Sequence, residues 1–168
     1  PERGRTLPAV GIGILQTAVH PSADARLRPG GFAGGQLPAI GTPVHDGALE
    51  FAVRDLVQVR QVGDTSEPGL SIHAEGVFVV VTLSVRNVGV VPRTLVDRDQ
   101  ALIDSRGQRF TVSTAANIYG NLDIPSNRMD PGEQLEVNLA FDVPVGTAPR
   151  SMVLRESATS DGVIVALP

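Results

Sequence analysis

The sequence contains no cysteine, no lysine and no tryptophan, and aromatic residues make up only 4% of its 168 positions. Without cysteine the fold has no disulfides, and both thiolate metal sites and cysteine nucleophiles are excluded. A chain of this length can still bury about two-thirds of its unfolded surface in one domain. We therefore expect a core that is held by apolar packing alone.

Positive charge is also scarce. Fourteen arginines face eighteen acids, which gives a net charge of −4. Non-specific nucleic-acid binding requires a basic surface that neutralises several phosphates, so we expect no nucleic-acid partner. Residues 1–40 carry four arginines against two acids, a net +2, whereas residues 41–168 carry ten against sixteen, a net −6. The charge pattern indicates an acidic domain that is preceded in the sequence by a weakly basic segment.

No apolar run approaches the roughly 18–20 residues of a membrane span, so we expect no transmembrane segment in this chain. Residues 7–19 come nearest, but one proline and two glycines interrupt them, which favours an interfacial or partner-docking segment. The chain begins at Pro1 instead of methionine. We therefore predict an upstream signal peptide or membrane anchor, lipid or helical, and an extracellular or cell-envelope location.

Residues 1–40 hold seven glycines and five prolines and show no sustained period. Such a composition is typical of an extended arm or linker. The arm nevertheless has too many apolar residues for a pure spacer. We expect it to lie on a surface, either of its own domain or of another protein, and the candidate partner-binding residues are Leu7, Val10, Ile12, Ile14, Leu15 and Phe32.

Residues 41–168 alternate between apolar and polar in several short segments. In the longest one, Val77 to Val85 supply a wholly apolar face, while the opposite face turns from apolar to polar. This pattern predicts a central strand that begins buried on both sides. Further alternating segments, separated by turn residues, lie at 49–60, 101–112, 134–143, 151–155 and 162–167. We predict an all-β fold, an immunoglobulin-like antiparallel β-sandwich of about seven strands.

Thr114 to Asn127 has no clear period, and we interpret it as the longest internal loop, where function often lies in small β domains. Tyr119 in this segment is a further candidate partner contact. The alternative for Tyr119 is that its ring packs over an open end of the sandwich.

The sequence has few residues that could act as metal ligands or catalytic groups. The three histidines, His20, His45 and His73, have no second ligand at metal spacing, and no nucleophile motif is present. We predict no catalytic residue, no cofactor and no enzyme activity.

Three aspartates leave one metal alternative open. Asp97, Asp99 and Asp104 can supply oxygen ligands for calcium, or they can cap turns and pair with nearby arginines. Arginines are interleaved with these acids, which favours pairing; they are Arg93, Arg98 and Arg106.

Several segments together carry a resemblance to a known family: Val85-Arg86-Asn87-Val88-Gly89, Leu102-Ile103-Asp104-Ser105-Arg106-Gly107, Pro131-Gly132-Glu133 and Phe141-Asp142-Val143-Pro144. In their order and spacing, residues 41–168 resemble a family of bacterial extracellular domains, often lipoproteins or membrane-anchored, that is grouped with small secreted mycobacterial antigens of immunoglobulin-like fold. The family has no established biochemical function. The resemblance implies an exported sandwich, usually tethered, with no catalytic residues to carry over.

Our hypothesis from the sequence is a non-enzymatic binding or accessory subunit on the outer face of a bacterial membrane. Its arm, residues 1–40, would dock on a larger membrane protein or complex. The alternative is a domain that binds a small ligand or calcium through the three aspartates or the 114–127 segment. The oligomeric state stays open.

Overall fold

The computed structural model describes residues 36–67, 69–124 and 126–168, which form ten strands, one short α-helix and one 3₁₀ turn. The strands are β1 (Val44–Asp46), β2 (Leu49–Gly63), β3 (Ser71–Asn87), β4 (Arg93–Thr94), β5 (Ala101–Asp104), β6 (Arg109–Thr111), β7 (Arg128–Met129), β8 (Gln134–Val143), β9 (Pro149–Leu154) and β10 (Val163–Ala166). The 3₁₀ turn is Asp97–Asp99, and helix α1 is Thr114–Gly120.

Two four-stranded antiparallel sheets face each other. The first sheet has the order β1-β2-β3-β8, the second has the order β10-β9-β5-β6, and β4 and β7 form a small separate ladder. Their inner faces share one hydrophobic core to which both sheets contribute. The predicted all-β, immunoglobulin-like sandwich is confirmed, and the described residues form ten strands where about seven were predicted, because the three additional strands, β1, β4 and β7, have only two or three residues.

Strand β3 is the centre of the first sheet, as its alternation predicts. Its inner-face residues Val79, Val81, Leu83 and Val85 are fully buried in the core. On its outer face, Phe78 is only 1% exposed because it packs in a second cluster with Ala116 of α1. Burial on both sides at the start of the strand is therefore confirmed, and α1 is one of the elements that cover it.

Residues 114–120 form α1, so the prediction of one loop over residues 114–127 is wrong for this part of the segment. The Ser113 side chain caps the helix by accepting a hydrogen bond from the Ala116 N–H at 3.4 Å. A seven-residue helix is too short to be stable alone, so tertiary contacts hold it.

The chain joins the sandwich before β1. The carbonyl of Pro38 accepts from Ala166 N of β10 at 2.7 Å, and Gly41 N donates to the Val53 carbonyl of β2 at 2.8 Å. Ile40 packs against the core. Residues 1–35 of the predicted arm lie outside the described residues, so the arm and its boundary near residue 41 stay predictions. In the described part of the chain, no helix has the length and hydropathy to cross a membrane.

Candidate functional site

A cleft of about 580 Å³ opens on one side of the sandwich. Strand β8 forms the edge of the first sheet here and β6 forms the edge of the second. The chain between β6 and β8 crosses this gap. The cleft lies between α1 and the 3₁₀ turn. The lining residues are Leu95, Val96, Asp97, Arg98, Val112, Thr114, Asn117, Ile118, Asn121, Leu122, Ile124, Asn127 and Val137.

The polar side chains of α1 fix its position on the free edge of β8. The amide oxygen of Asn117 accepts from Ala140 N at 2.9 Å, and Ser113 N donates to the Ala140 carbonyl at 2.8 Å. The side-chain amide of Asn121 bonds to the backbone of Asn138 in the way a neighbouring strand would. Its Oδ1 accepts from Asn138 N and its Nδ2 donates to the Asn138 carbonyl, each at 2.8 Å. The backbone groups of an edge strand need partners, and here side-chain amides supply them.

Asp97 lies at the polar end of the cleft. Its Oδ2 accepts from Asn117 Nδ2 at 2.6 Å and its Oδ1 accepts from Asn127 Nδ2 at 3.1 Å. Burial raises the pKa of Asp97, and the hydrogen bonds from the two amides oppose this rise without cancelling it. The carboxylate is thus held in one orientation, and each oxygen retains a lone pair for a further donor.

Apolar side chains surround this acceptor. Ile118 and Leu122 are 61% and 55% exposed at the rim, while Ile124 and Val112 are partly buried against the core. Large apolar side chains that stay exposed around a concave surface are typical of a contact site. The cleft is suited to an apolar group that carries a hydrogen-bond donor.

The predicted contact Tyr119 lies elsewhere. Its ring is partly buried against the second cluster, with Val62, Phe78 and Ala140, on the outer face of the first sheet. This position agrees with a packing role, and a partner contact of Tyr119 stays a prediction. The other candidate contact residues, Leu7, Val10, Ile12, Ile14, Leu15 and Phe32, lie outside the described residues.

The three aspartates do not converge. Asp104 lies at the opposite end of β5 from the 3₁₀ turn, where its Oδ1 accepts from Arg106 N at 2.9 Å and Gln108 N at 2.8 Å. The calcium alternative therefore does not hold for a single site built from all three acids. Within residues 36–67, 69–124 and 126–168, no group of three or more acids and histidines is arranged to hold a metal.

The predicted ion pairs of these aspartates are also wrong. Arg93 pairs instead with Glu156, at 2.9 Å between Nε and Oε1, and Asp97 is held by amides. The turn-capping alternative is confirmed for Asp104.

The cleft residues Asn117, Ile118, Leu122 and Asn127 lie in the 114–127 segment that the sequence singled out, but only Tyr119 was named there as a contact. One local signal was present: Asn117 and Asn121 are four residues apart and therefore share a helix face, next to the exposed Ile118.

Comparison with known proteins places the chain in a family. A family model described as "Domain of unknown function (DUF4352)" matches residues 38–164. No curated protein matches the chain significantly.

Several solved structures share the fold. They include MPT63, a secreted protein from Mycobacterium tuberculosis, at 20% identity and a TM-score of 0.56, covering 80% of this chain and 99% of that one. The yjhA protein from Bacillus subtilis is 15% identical with a TM-score of 0.58, covering 79% and 100%. A conserved hypothetical protein from Bacillus anthracis is 16% identical with a TM-score of 0.55, covering 76% and 96%. At these identities, the similarity establishes the fold alone.

Proposed function

Since the chain belongs to the family described as "Domain of unknown function (DUF4352)", we propose that it is a non-enzymatic binding or accessory domain. In this proposal the domain is exported, faces the outer side of a bacterial membrane and recognises a larger partner protein. The cleft beside α1 is its contact site on the sandwich, and the arm, residues 1–40, is a second contact.

The observation that carries the proposal is the combination of exposed and fixed groups in the cleft. Ile118 and Leu122 leave more than half of their side chains in water, while Asp97 is held by two amides. An apolar rim around an oriented acceptor favours a protein segment that brings an apolar side chain and a neighbouring N–H donor.

Two further observations support the location and the arm. MPT63, which has the same fold, is described as secreted. The arm has a net charge of +2 and the rest of the chain has −6, and the arm holds an apolar segment from Leu7 to Leu15. An apolar segment of that kind can anchor an interface once a partner covers it.

The cleft is tested by capturing partners from bacterial membranes with the intact chain and with two single variants. Ile118→Asp places a charge on the rim of the cleft. Val145→Asp is the matched control, because Val145 is similarly exposed, at 66%, and lies outside the cleft. We expect Ile118→Asp to lose the partner that wild type and Val145→Asp retain. Equal capture by all three proteins would contradict the cleft's role.

The arm is tested separately with Leu7→Asp and Ile12→Asp in the intact chain. We expect either change to weaken capture of the same partner. Unchanged capture would remove the arm from the proposal while leaving the cleft in it.

A second candidate function, small-ligand binding, is favoured by the dimensions of the same cleft. Its volume of about 580 Å³ lies within the range of small-molecule sites. Calcium is the less suited form, because the two amide groups that face Asp97 are donors and a cation needs acceptors. Calorimetry with calcium, zinc and copper tests the metal form. Binding heat that disappears in Asp97→Ala would support it, and no heat would exclude it.

A further inference from the structure

Strand β2 has an open edge over much of its length. Strand β1 covers only its first three residues, Leu49 to Phe51, and Gly41 N donates to the Val53 carbonyl just beyond them. From residue 54 to residue 60, no described residue pairs with β2 on this side. Unpaired backbone groups along the edge of a strand are a template for a further strand.

The hydrogen bonds around α1 determine which backbone groups point outward from this edge. The backbone of Ala140 in β8 bonds to Asn117 and Ser113, away from β3. Ala140 pairs with Val80 in β3, so the backbone groups of Val80 point the other way and meet those of Val57 in β2. Because these directions alternate along a strand, the N–H and C=O of Gln58, the next residue, point outward.

The open edge is apolar in its middle and charged at its ends. Val57 is 45% exposed on the outer face of the sheet, and Val59 is partly buried beside it. Arg54 and Arg60 are exposed on either side of this stretch. The register of β2 against β3 shifts at both ends, after Val53 and after Val59, so a joining strand can pair regularly only with residues 55–60.

We propose that this edge of β2 pairs antiparallel with the same edge of a second copy, about a two-fold axis at Gln58. In this register Val57 lies opposite the partner's Val59 on both sides of the axis, so the exposed valines cover each other on the outer face. Leu56 lies opposite the partner's Arg60, and no like charges face each other. The edge is thus complementary to itself, which favours a second copy over a foreign strand.

The neighbouring registers fit less well. An axis at Val57 would place Arg54 opposite the partner's Arg60, and like charges directly opposite each other destabilise a pair of strands. An axis at Val59 would extend the pairing to Val62, which is buried in the second cluster. Because the pairing about Gln58 uses the same edge of both copies, it closes at a dimer.

This inference goes beyond the proposed function and does not depend on it. In the first sheet, β3 separates β2 from β8, and the cleft lies at the edge formed by β8. A dimer through β2 therefore leaves the cleft of each copy uncovered. Ile118→Asp should not change the mass in solution, and changes in β2 should not remove the cleft, so each proposal can fail without the other.

Sedimentation equilibrium of the intact chain over a range of concentrations tests the dimer. Gln58→Pro removes the outward N–H at the axis without removing a hydrogen bond to β3, and Gln58→Ala is the matched control. We expect wild type and Gln58→Ala to dimerise, and the association constant of Gln58→Pro to be at least about tenfold lower. Wild type that stays monomeric would overturn the proposal, and so would undiminished dimerisation of Gln58→Pro.

Single cysteines test the register, because the sequence contains none. In a hydrogen-bonded antiparallel pair the two Cα atoms are about 5.5 Å apart, which allows a disulfide between Gln58→Cys and its equivalent in the partner. Arg60→Cys on the same exposed edge is the matched control, because its Cα would lie about 14 Å from the equivalent Cα.

Under mild oxidation we expect Gln58→Cys to form an intermolecular disulfide at least about tenfold faster than Arg60→Cys. This readout does not depend on a proline being tolerated in β2. Equal rates for the two variants, or no disulfide from Gln58→Cys, would overturn the proposal.

Discussion

Replacing Asn117 by alanine should destabilise the domain more than replacing Asn127, the other amide that donates to Asp97. Asn117 is 5% exposed, and its side chain accepts from Ala140 N at 2.9 Å and donates to Asp97 at 2.6 Å. Asn127 makes only the longer bond to the same carboxylate, at 3.1 Å. Asn127→Ala is therefore the matched control.

The two bonds of Asn117 contribute unequally. The Ala140 N–H is buried, so leaving it without an acceptor costs about 1–3 kcal/mol. Asp97 faces an open cleft where water can replace the lost donor, which limits that part to about 1 kcal/mol. We expect Asn117→Ala to lower the free energy of unfolding by about 2–4 kcal/mol and Asn127→Ala by less than about 1 kcal/mol.

The variant Asn117→Asp keeps the bond from Ala140 N and makes the contact with Asp97 dependent on pH. An aspartate at this position still accepts from Ala140 N, and when protonated it can also donate to Asp97. When both groups are ionised they repel each other by up to about 4 kcal/mol at an effective dielectric constant near 20. The variant should therefore be close to wild type near pH 4 and markedly less stable at pH 7.

The wild-type protein should show a weaker trend of the same sign. Burial raises the pKa of Asp97 above its ordinary value of 3.8, so the folded chain holds this proton more tightly than the unfolded chain. The contribution of Asp97 to stability is fully present below its unfolded pKa and is lost as the pH rises through its folded pKa. Asp97→Ala should remove this component from the pH profile.

The assay is urea unfolding followed by circular dichroism, at pH 4 and pH 7, for wild type and the three variants at positions 117 and 127. Equal losses for Asn117→Ala and Asn127→Ala would refute the assignment of the buried Ala140 bond. A pH-independent Asn117→Asp would refute the contact with Asp97.

Three other changes test the rest of the fold. Gly76→Ala should cost about 2–4 kcal/mol by thermal melting, because its Cβ would meet the Val143 carbonyl. Gly120→Ala should be neutral or slightly stabilising, because its Cβ would make only an ordinary contact with the Asn138 Cβ at 3.9 Å. Equal melting temperatures of the two variants would contradict this. Asp46→Ala removes three hydrogen bonds of 2.5–3.1 Å that connect β1 to the loop before β10. We expect the free energy of unfolding in urea to fall by about 2–4 kcal/mol. An unchanged unfolding midpoint would contradict this. Asn87→Ala removes three hydrogen bonds that fix the loop after β3. We expect the amides of residues 88–91 to exchange faster in this variant. Exchange at the wild-type rate would contradict this.

The strands could be predicted because their signal is local. Residues 134–143 alternate without interruption, and this alternation alone places Leu139 and Phe141 in the core. Asp55 and Leu56 break the alternation of residues 49–60, as a bulge would, and the register of β2 against β3 shifts between Val53 and Asp55.

Helix α1 could not be predicted in the same way, because its seven residues are held by distant partners. Ala116 packs against Phe78 and Asn117 bonds to Ala140, and neither contact has a local pattern. The apolar outer face of β3 indicated that something covers it, without indicating which element does.

The cleft could not be predicted from the sequence for a related reason. Asp97 meets Asn117 and Asn127 across sequence separations of 20 and 30 residues. Each residue on its own is typical of a turn, and only the crossing of the chain from β6 to β8 brings them together.

The most direct test of the proposed function is site-specific photo-crosslinking on intact bacterial membranes. A benzoylphenylalanine is placed at position 118 on the rim of the cleft, or at position 145 as a similarly exposed control. We expect a discrete adduct with one membrane-associated protein from position 118 that is absent from position 145. No adduct from position 118, or the same adducts from both positions, would contradict a binding role for the cleft.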